Sequence, residues 1–202
     1  SGDAGKFAAV AEAVKGKTDL PLILMSTDAA AMGAALAKVA DVKPAIYGAN
    51  KDNIDAMIEL AKANGVALGI RGEGLDELAE LSQKAEGAGV EDLILDPGTR
   101  GYGDSVNALT QMRRLAIKKG FQPMGFPTIT FAGEGASSLD EEAMMAAQYV
   151  AKYGSIVILD TFDPAMIYPL ITLRLNIYTD PQKPIQMAAG IYPIGNASAD
   201  SP

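Results

Sequence analysis

Short aliphatic and β-branched runs alternate with longer stretches of helical spacing along this chain, the pattern of βα units built round a parallel sheet. The short runs predict six strands, at 21–26, 44–48, 66–71, 92–96, 122–130 and 155–160. Between and around them the spacing predicts helices at 4–15, 29–39, 51–64, 75–86, 105–119, 139–152 and 164–173. In the third of these, Ile54, Met57, Ile58 and Ala61 fall at i, i+3, i+4 and i+7, an apolar stripe for the sheet, while Asp52, Asp55, Glu59 and Lys62 face water. Ser138 followed by Glu141 is a capping-box pattern that marks where the helix at 139–152 begins.

A closed barrel of this kind needs eight strands, because only closure removes the unpaired edges. The pattern supplies six and opens on a helix. It therefore predicts an α/β fold of the TIM (β/α)8 barrel type that lacks its first two βα units, with residues 1–175 as the barrel domain. Strands near Pro21 and Ser155 would then be open edges, able to pair with another chain. A doubly wound open sheet also accommodates six strands, although its Gly-x-Gly-x-x-Gly turn after the first strand is absent. After Leu173 the character changes. Pro181 and Pro184 oppose a helix and favour extended structure, so 176–202 reads as a Pro/Gly-rich linker towards a further domain.

Composition narrows the chemistry. Apolar residues make up 49% and charged residues 21% of 202 positions, enough for one core in one domain. No apolar run approaches the roughly 20 residues of a membrane span, and the N-terminus shows no secretory pattern, so the expected compartment is the cytoplasm and no membrane partner is expected. With no cysteine there is no disulfide framework, thiolate zinc site or cysteine-held cluster in these residues. With no histidine the commonest general base and metal ligand is missing too, so no metal site is expected. The net charge of −8 is spread along the chain and repels nucleic acid.

Working groups of such barrels stand where strands end. The polar residues at these places are Ser26, Thr27 and Asp28; Asn50; Arg71 and Glu73; Asp96 and Arg100; Thr128 and Thr130; Asp160 and Asp163. Helix capping accounts for many of them equally well, Asp28 and Asp163 above all. The richest segment is Leu93-Ile-Leu-Asp-Pro-Gly-Thr-Arg-Gly-Tyr-Gly-Asp-Ser105, a strand ending in an aspartate, then a glycine-rich loop and a helix. Its glycines permit close backbone approach, and a carboxylate there can pair with a heterocycle presenting two N–H donors.

Asp96-Pro97-Gly98 resembles the motif of the pterin-binding barrels, dihydropteroate synthase and the methyltetrahydrofolate methyltransferases. The resemblance makes this strand the sixth of eight, and implies a pterin-like face of Asp28, Asn50, Asp96 and Arg100. Asp104 stands where the synthases carry a lysine, and their late histidine motif has no counterpart.

A narrower resemblance rests on Asn176-Ile-Tyr-Thr-Asp-Pro-Gln-Lys-Pro-Ile-Gln186 together with Leu95-Asp-Pro-Gly-Thr99. These strings are similar to the large (gamma) subunit family of the corrinoid iron-sulfur protein and the acetyl-CoA decarbonylase/synthase complex. That family implies an N-terminal domain with a [4Fe-4S] cluster, a central barrel and a C-terminal cobamide domain. Its cobalt takes a methyl group from a methyl-pterin at a methyltransferase and passes it to acetyl-CoA synthase, in the carbon-fixing reductive acetyl-CoA (Wood–Ljungdahl) pathway. This chain would be the barrel, with no cofactor of its own and no catalysis alone, pairing with the small subunit and positioning the moving cobamide domain. The alternative is an enzyme domain binding a pterin at Asp96, Asn50 and Asp28.

Overall fold

The computed structural model describes residues 3–179. In chain order the elements are α1 (Ala4–Lys15), β1 (Ile23–Met25), α2 (Ala29–Val39), β2 (Ala45–Ala49), α3 (Ile54–Asn64), β3 (Leu68–Arg71) and α4 (Leu75–Gly87). There follow β4 (Leu93–Asp96), α5 (Tyr102–Lys118), β5 (Ile129–Phe131), α6 (Leu139–Ala151), β6 (Ile156–Ile158) and α7 (Pro164–Thr179).

All strand pairs are parallel, and the order follows the sequence. β1 to β4 form one sheet and β5 pairs with β6. A bridge from Leu95 to Thr128, with the Leu95 amide donating to the Pro127 carbonyl at 2.8 Å, joins the two sheets. The winding thus proceeds in one direction. One face packs on the helices: Leu24, Ile46, Leu68, Ile70, Leu93 and Leu95 are buried in one core with Met32, Leu36, Met57, Leu78, Leu109 and Met145. The opposite face is lined by strand positions and the residues flanking them, with Ile94, Ile129 and Phe131 buried against Ile23, Ala45, Tyr47, Ala67, Ile156 and Ile158. A doubly wound sheet carries helices on both faces. This arrangement, with the helix-packed core on one face, is compatible with a barrel-like fold, and among the described residues β1 and β6 each keep one unpaired edge.

The amphipathic reading of α3 holds: Ile54, Met57, Ile58 and Ala61 are buried, and Asp52, Asp55, Glu59 and Lys62 are exposed. Asp28 and Asp163 are the caps expected, accepting from Ala30 and Ala165 at 2.8 and 2.7 Å. Four expectations need correction. The strand expected at 122–130 is shorter, because Pro123 and Gly125 close a 3-10 turn over Gln122–Met124 and leave only Ile129–Phe131 extended. The helix expected from residue 51 starts at Ile54, since the Asn53 side chain folds back on the turn, accepting from the Asn50 amide at 2.7 Å and donating to the Thr27 and Gly48 carbonyls. The capping box is displaced: the Ser138 hydroxyl accepts from the Glu141 amide, but the Glu141 carboxylate takes the Ser137 amide and hydroxyl at 2.7 and 2.6 Å. The last helix runs on to Thr179, because Leu173, Leu175 and their neighbours are good helix formers and the first blocking proline is Pro181. The linker expected at 176–202 therefore begins inside a helix, and its part at 180–202 lies outside the described residues.

Candidate functional site

Groups from β2 and from the loop after β4 converge on one carboxylate. Asp96 closes β4 with no exposed surface, and its two oxygens carry four hydrogen bonds. Oδ1 accepts from the Gly98 amide at 2.8 Å and from Arg100 Nη1 at 3.0 Å; Oδ2 accepts from Arg100 Nη2 at 2.9 Å and the Tyr47 hydroxyl at 2.5 Å. Arg100 Nε donates onward to Glu134, in the turn after β5. The guanidinium lies over the Phe131 ring, 4.7 Å from its centre, and the Tyr47 ring leans on the same phenylalanine at 5.1 Å.

Local sequence explains the convergence. Tyr47 reaches from β2 across β3 to β4 because Gly69 stands between: a Cβ there would come within 2.8 Å of the Tyr47 ring. Gly98 holds a positive φ of 75° and passes so close to the Gly72 carbonyl that a Cβ would sit 2.4 Å from its oxygen. Only glycine suits both demands, and that turn aims Arg100 back at Asp96.

The electrostatics follow from burial. Burial and the adjacent Asp96 charge hold the Tyr47 hydroxyl far above its ordinary range, Arg100 offsetting part of this. For Arg100, burial works against the charge, but hydrogen bonds to Asp96 and Glu134 and their charges outweigh it, so the guanidinium stays protonated. A buried carboxylate held by four hydrogen bonds rigidifies its surroundings.

Of the residues expected to share a pterin-like face, Asp96 and Arg100 are brought together, but onto each other. Asn50 lines a cavity of about 200 Å3 with Thr27, Tyr47, Arg71 and Glu73, which shares only Tyr47 with the Asp96 cluster, and its side-chain oxygen accepts from the Asp52 amide. Asp28 is exposed and spends its carboxylate on the first turn of α2. Thr128 and Thr130 do not stand at the C-terminal end: Thr128 precedes β5 and donates to the Tyr153 carbonyl, and Thr130 donates to the Ile156 carbonyl, so both stitch β5 to β6 and its approach. Sequence reasoning passed over Tyr47, Phe131 and Glu134, whose places in strands and a loop carry no local signal of their convergence.

A larger cavity of about 630 Å3 opens at the other end of the sheet, between α5 and α6, lined by Met112, Arg113, Phe126, Tyr153 and Arg174 among others. Among the described residues no group of three carboxylates is placed to hold a metal ion.

The family model described as CO dehydrogenase/acetyl-CoA synthase delta subunit matches residues 1–202. The corrinoid/iron-sulfur protein large subunit of Moorella thermoacetica is 42% identical over 99% of this chain and 44% of its own length. The acetyl-CoA decarbonylase/synthase complex subunits gamma of Methanothermobacter thermautotrophicus and Archaeoglobus fulgidus are 36% and 33% identical over 100% of this chain, and 46% and 45% of theirs. The chain spans less than half the length of these relatives. The family description names a delta subunit and the relatives large or gamma subunits. A chain with neither cysteine nor histidine does not fit an iron-sulfur cluster, whose iron needs thiolate or imidazole ligands.

Proposed function

From its membership of the CO dehydrogenase/acetyl-CoA synthase delta subunit family, we propose that the chain is the barrel domain of a corrinoid iron-sulfur methyl carrier, a scaffold and docking body for methyl transfer from a methyl-pterin, through a cobamide, to acetyl-CoA synthase. The observation that carries this reading is the closed network at Asp96. The most elaborate polar cluster of the described residues has its acceptors filled by its own donors. A reacting site keeps donors and acceptors for its substrate; this one keeps none at Asp96. A pterin bound at Asp28, Asn50, Asp96 and Arg100 would have to displace the paired N–H bonds of Arg100.

Barrel closure belongs to the same proposal. Two further βα units ahead of α1 would pair the free edges of β1 and β6 and finish covering Ile23, Ile156 and Ile158, which are only partly buried. They would also meet α7, apolar on every side up to Arg174, where Tyr168, Ile171 and Leu175 are exposed. In such an assembly the barrel supplies orientation and effective concentration, while cobamide and [4Fe-4S] chemistry resides on other domains. Its partners would be the small subunit, the methyltransferase and acetyl-CoA synthase. We place it in the cytoplasm; among the described residues no helix is long and apolar enough to cross a membrane.

Calorimetric titration tests the proposal, with the small subunit plus cobamide domain as one titrant and methyltetrahydrofolate as the other. Heat from the proteins and none from the folate is expected. Micromolar folate binding without protein binding would overturn it in favour of an enzyme site at Asp96.

A further inference from the structure

The surroundings of Arg100 have the form of a ligand slot. At its floor is Asp96, whose side chain is 1% exposed and offers two oxygens side by side. Each takes one N–H from a different Nη atom, at 3.0 and 2.9 Å, the fork-to-fork geometry of a planar donor pair. One wall is the Phe131 ring, 4.7 Å beneath the guanidinium carbon, which favours a flat delocalised cation. Tyr47 fixes the carboxylate by donating to Oδ2 at 2.5 Å, and its ring braces Phe131 at a tilt of 47°. At the mouth, half-exposed Glu134 holds Nε, the one guanidinium nitrogen that carries the side chain.

Walls, floor and mouth are therefore supplied by β2, β4, β5 and the turn after β5, whereas the occupant comes from the flexible-stemmed side chain of a glycine-rich loop. We propose that Asp96, Phe131 and Tyr47 form a binding slot for a flat guanidinium or amidinium group, and that Arg100 is its built-in occupant. While Arg100 is seated, this end of the sheet takes no such ligand. Removing it leaves a buried carboxylate with two unmet acceptors beside an aromatic wall, which a free guanidinium restores. The inference does not depend on the docking proposal, since it concerns only groups within this chain.

The test is chemical rescue of Arg100→Ala in the full chain. The variant's unfolding midpoint should fall, and millimolar guanidinium should recover it saturably, with acetamidinium acting similarly and sodium or ammonium at equal ionic strength without effect. Guanidinium should bind the variant at least about tenfold more tightly than the unsubstituted chain. Equal recovery by sodium, or equal guanidinium affinity for both proteins, would overturn the proposal. Should Arg100→Ala fail to fold even with guanidinium present, Arg100→Gln decides: its neutral side chain fills space but leaves the charge of Asp96 unpaired, so guanidinium must still raise its midpoint, and no response in that folded variant would overturn the slot.

Discussion

Around Asp96 the polar groups are turned inward on one another, while along α7 and the loop before it apolar side chains stand in water. Asp96 has no exposure and four hydrogen bonds from three partners; Phe162, just before α7, is 86% exposed and Tyr168 within it 70%. An enzyme commonly shows the reverse, with open polar clefts and a closed apolar body. On the docking proposal, the contrast assigns recognition to the apolar flank, and gives the residues most suggestive of chemistry the task of holding the sheet together.

The largest effect should come from breaking the interior. Asp96→Ala strands Arg100, the Tyr47 hydroxyl and the Gly98 amide at once, and removing one partner of a buried pair costs roughly 3–5 kcal/mol. Urea unfolding measures it. A loss below about 1 kcal/mol would mean that the interior network is not the structural element described here.

Gly69→Ala comes next. Its Cβ would meet Tyr47 Cδ2 at 2.8 Å, Tyr47 Cβ at 3.1 Å and the Ile46 carbonyl at 3.2 Å, and such overpacking costs about 1–3 kcal/mol. Combined with Tyr47→Ala, the added cost should shrink, since the ring it strikes is gone. Equal costs in both backgrounds would break the link between Gly69 and the reach of Tyr47.

Tyr47→Phe removes a hydrogen bond to a charged group, worth about 1.5–3 kcal/mol, and changes the response to pH. Because the folded hydroxyl titrates above its unfolded value, its contribution is complete below pH ~10 and is lost as pH rises through that value towards the folded one. Above pH ~10 the unsubstituted chain should therefore lose stability more steeply than the variant. Parallel pH profiles would contradict the burial of this hydroxyl.

How far the sequence revealed this contrast depended on range. Helices whose signals are local, α1 and α2 with their bounds at Ala4–Lys15 and Ala29–Val39, were legible from spacing and caps. Asp96 and Arg100 were legible as important because the glycine-rich loop is unusual. Their pairing was not: it depends on Gly98 turning the chain back and on Tyr47 arriving from two strands away over Gly69, which only the register reveals. Tyr47 counts as an apolar strand former in any pattern, and Glu134 as a loop charge. On the flank, the closely spaced Pro181 and Pro184 obscured a helix that runs through Pro169 and continues to Thr179.

The smallest effect on stability should come from that flank, which is what makes it informative. Tyr168, Ile171 and Leu175 lie at i, i+3 and i+7 on α7, so they share one face, and at 70%, 49% and 58% exposure they contribute little to this chain's own core. Replacing Ile171 and Leu175 with serine should change the unfolding free energy of the chain by no more than about 0.5 kcal/mol each. Association should respond far more. If further βα units close the sheet against α7, then a polypeptide supplying those units should bind this chain and raise its unfolding midpoint. The serine variants should weaken that complex while leaving the isolated chain unchanged. Size-exclusion chromatography with light scattering reads both. Serine variants that destabilise the isolated chain as much as Gly69→Ala would show that the stripe is part of the core, and the division between a closed interior and an open flank would fail.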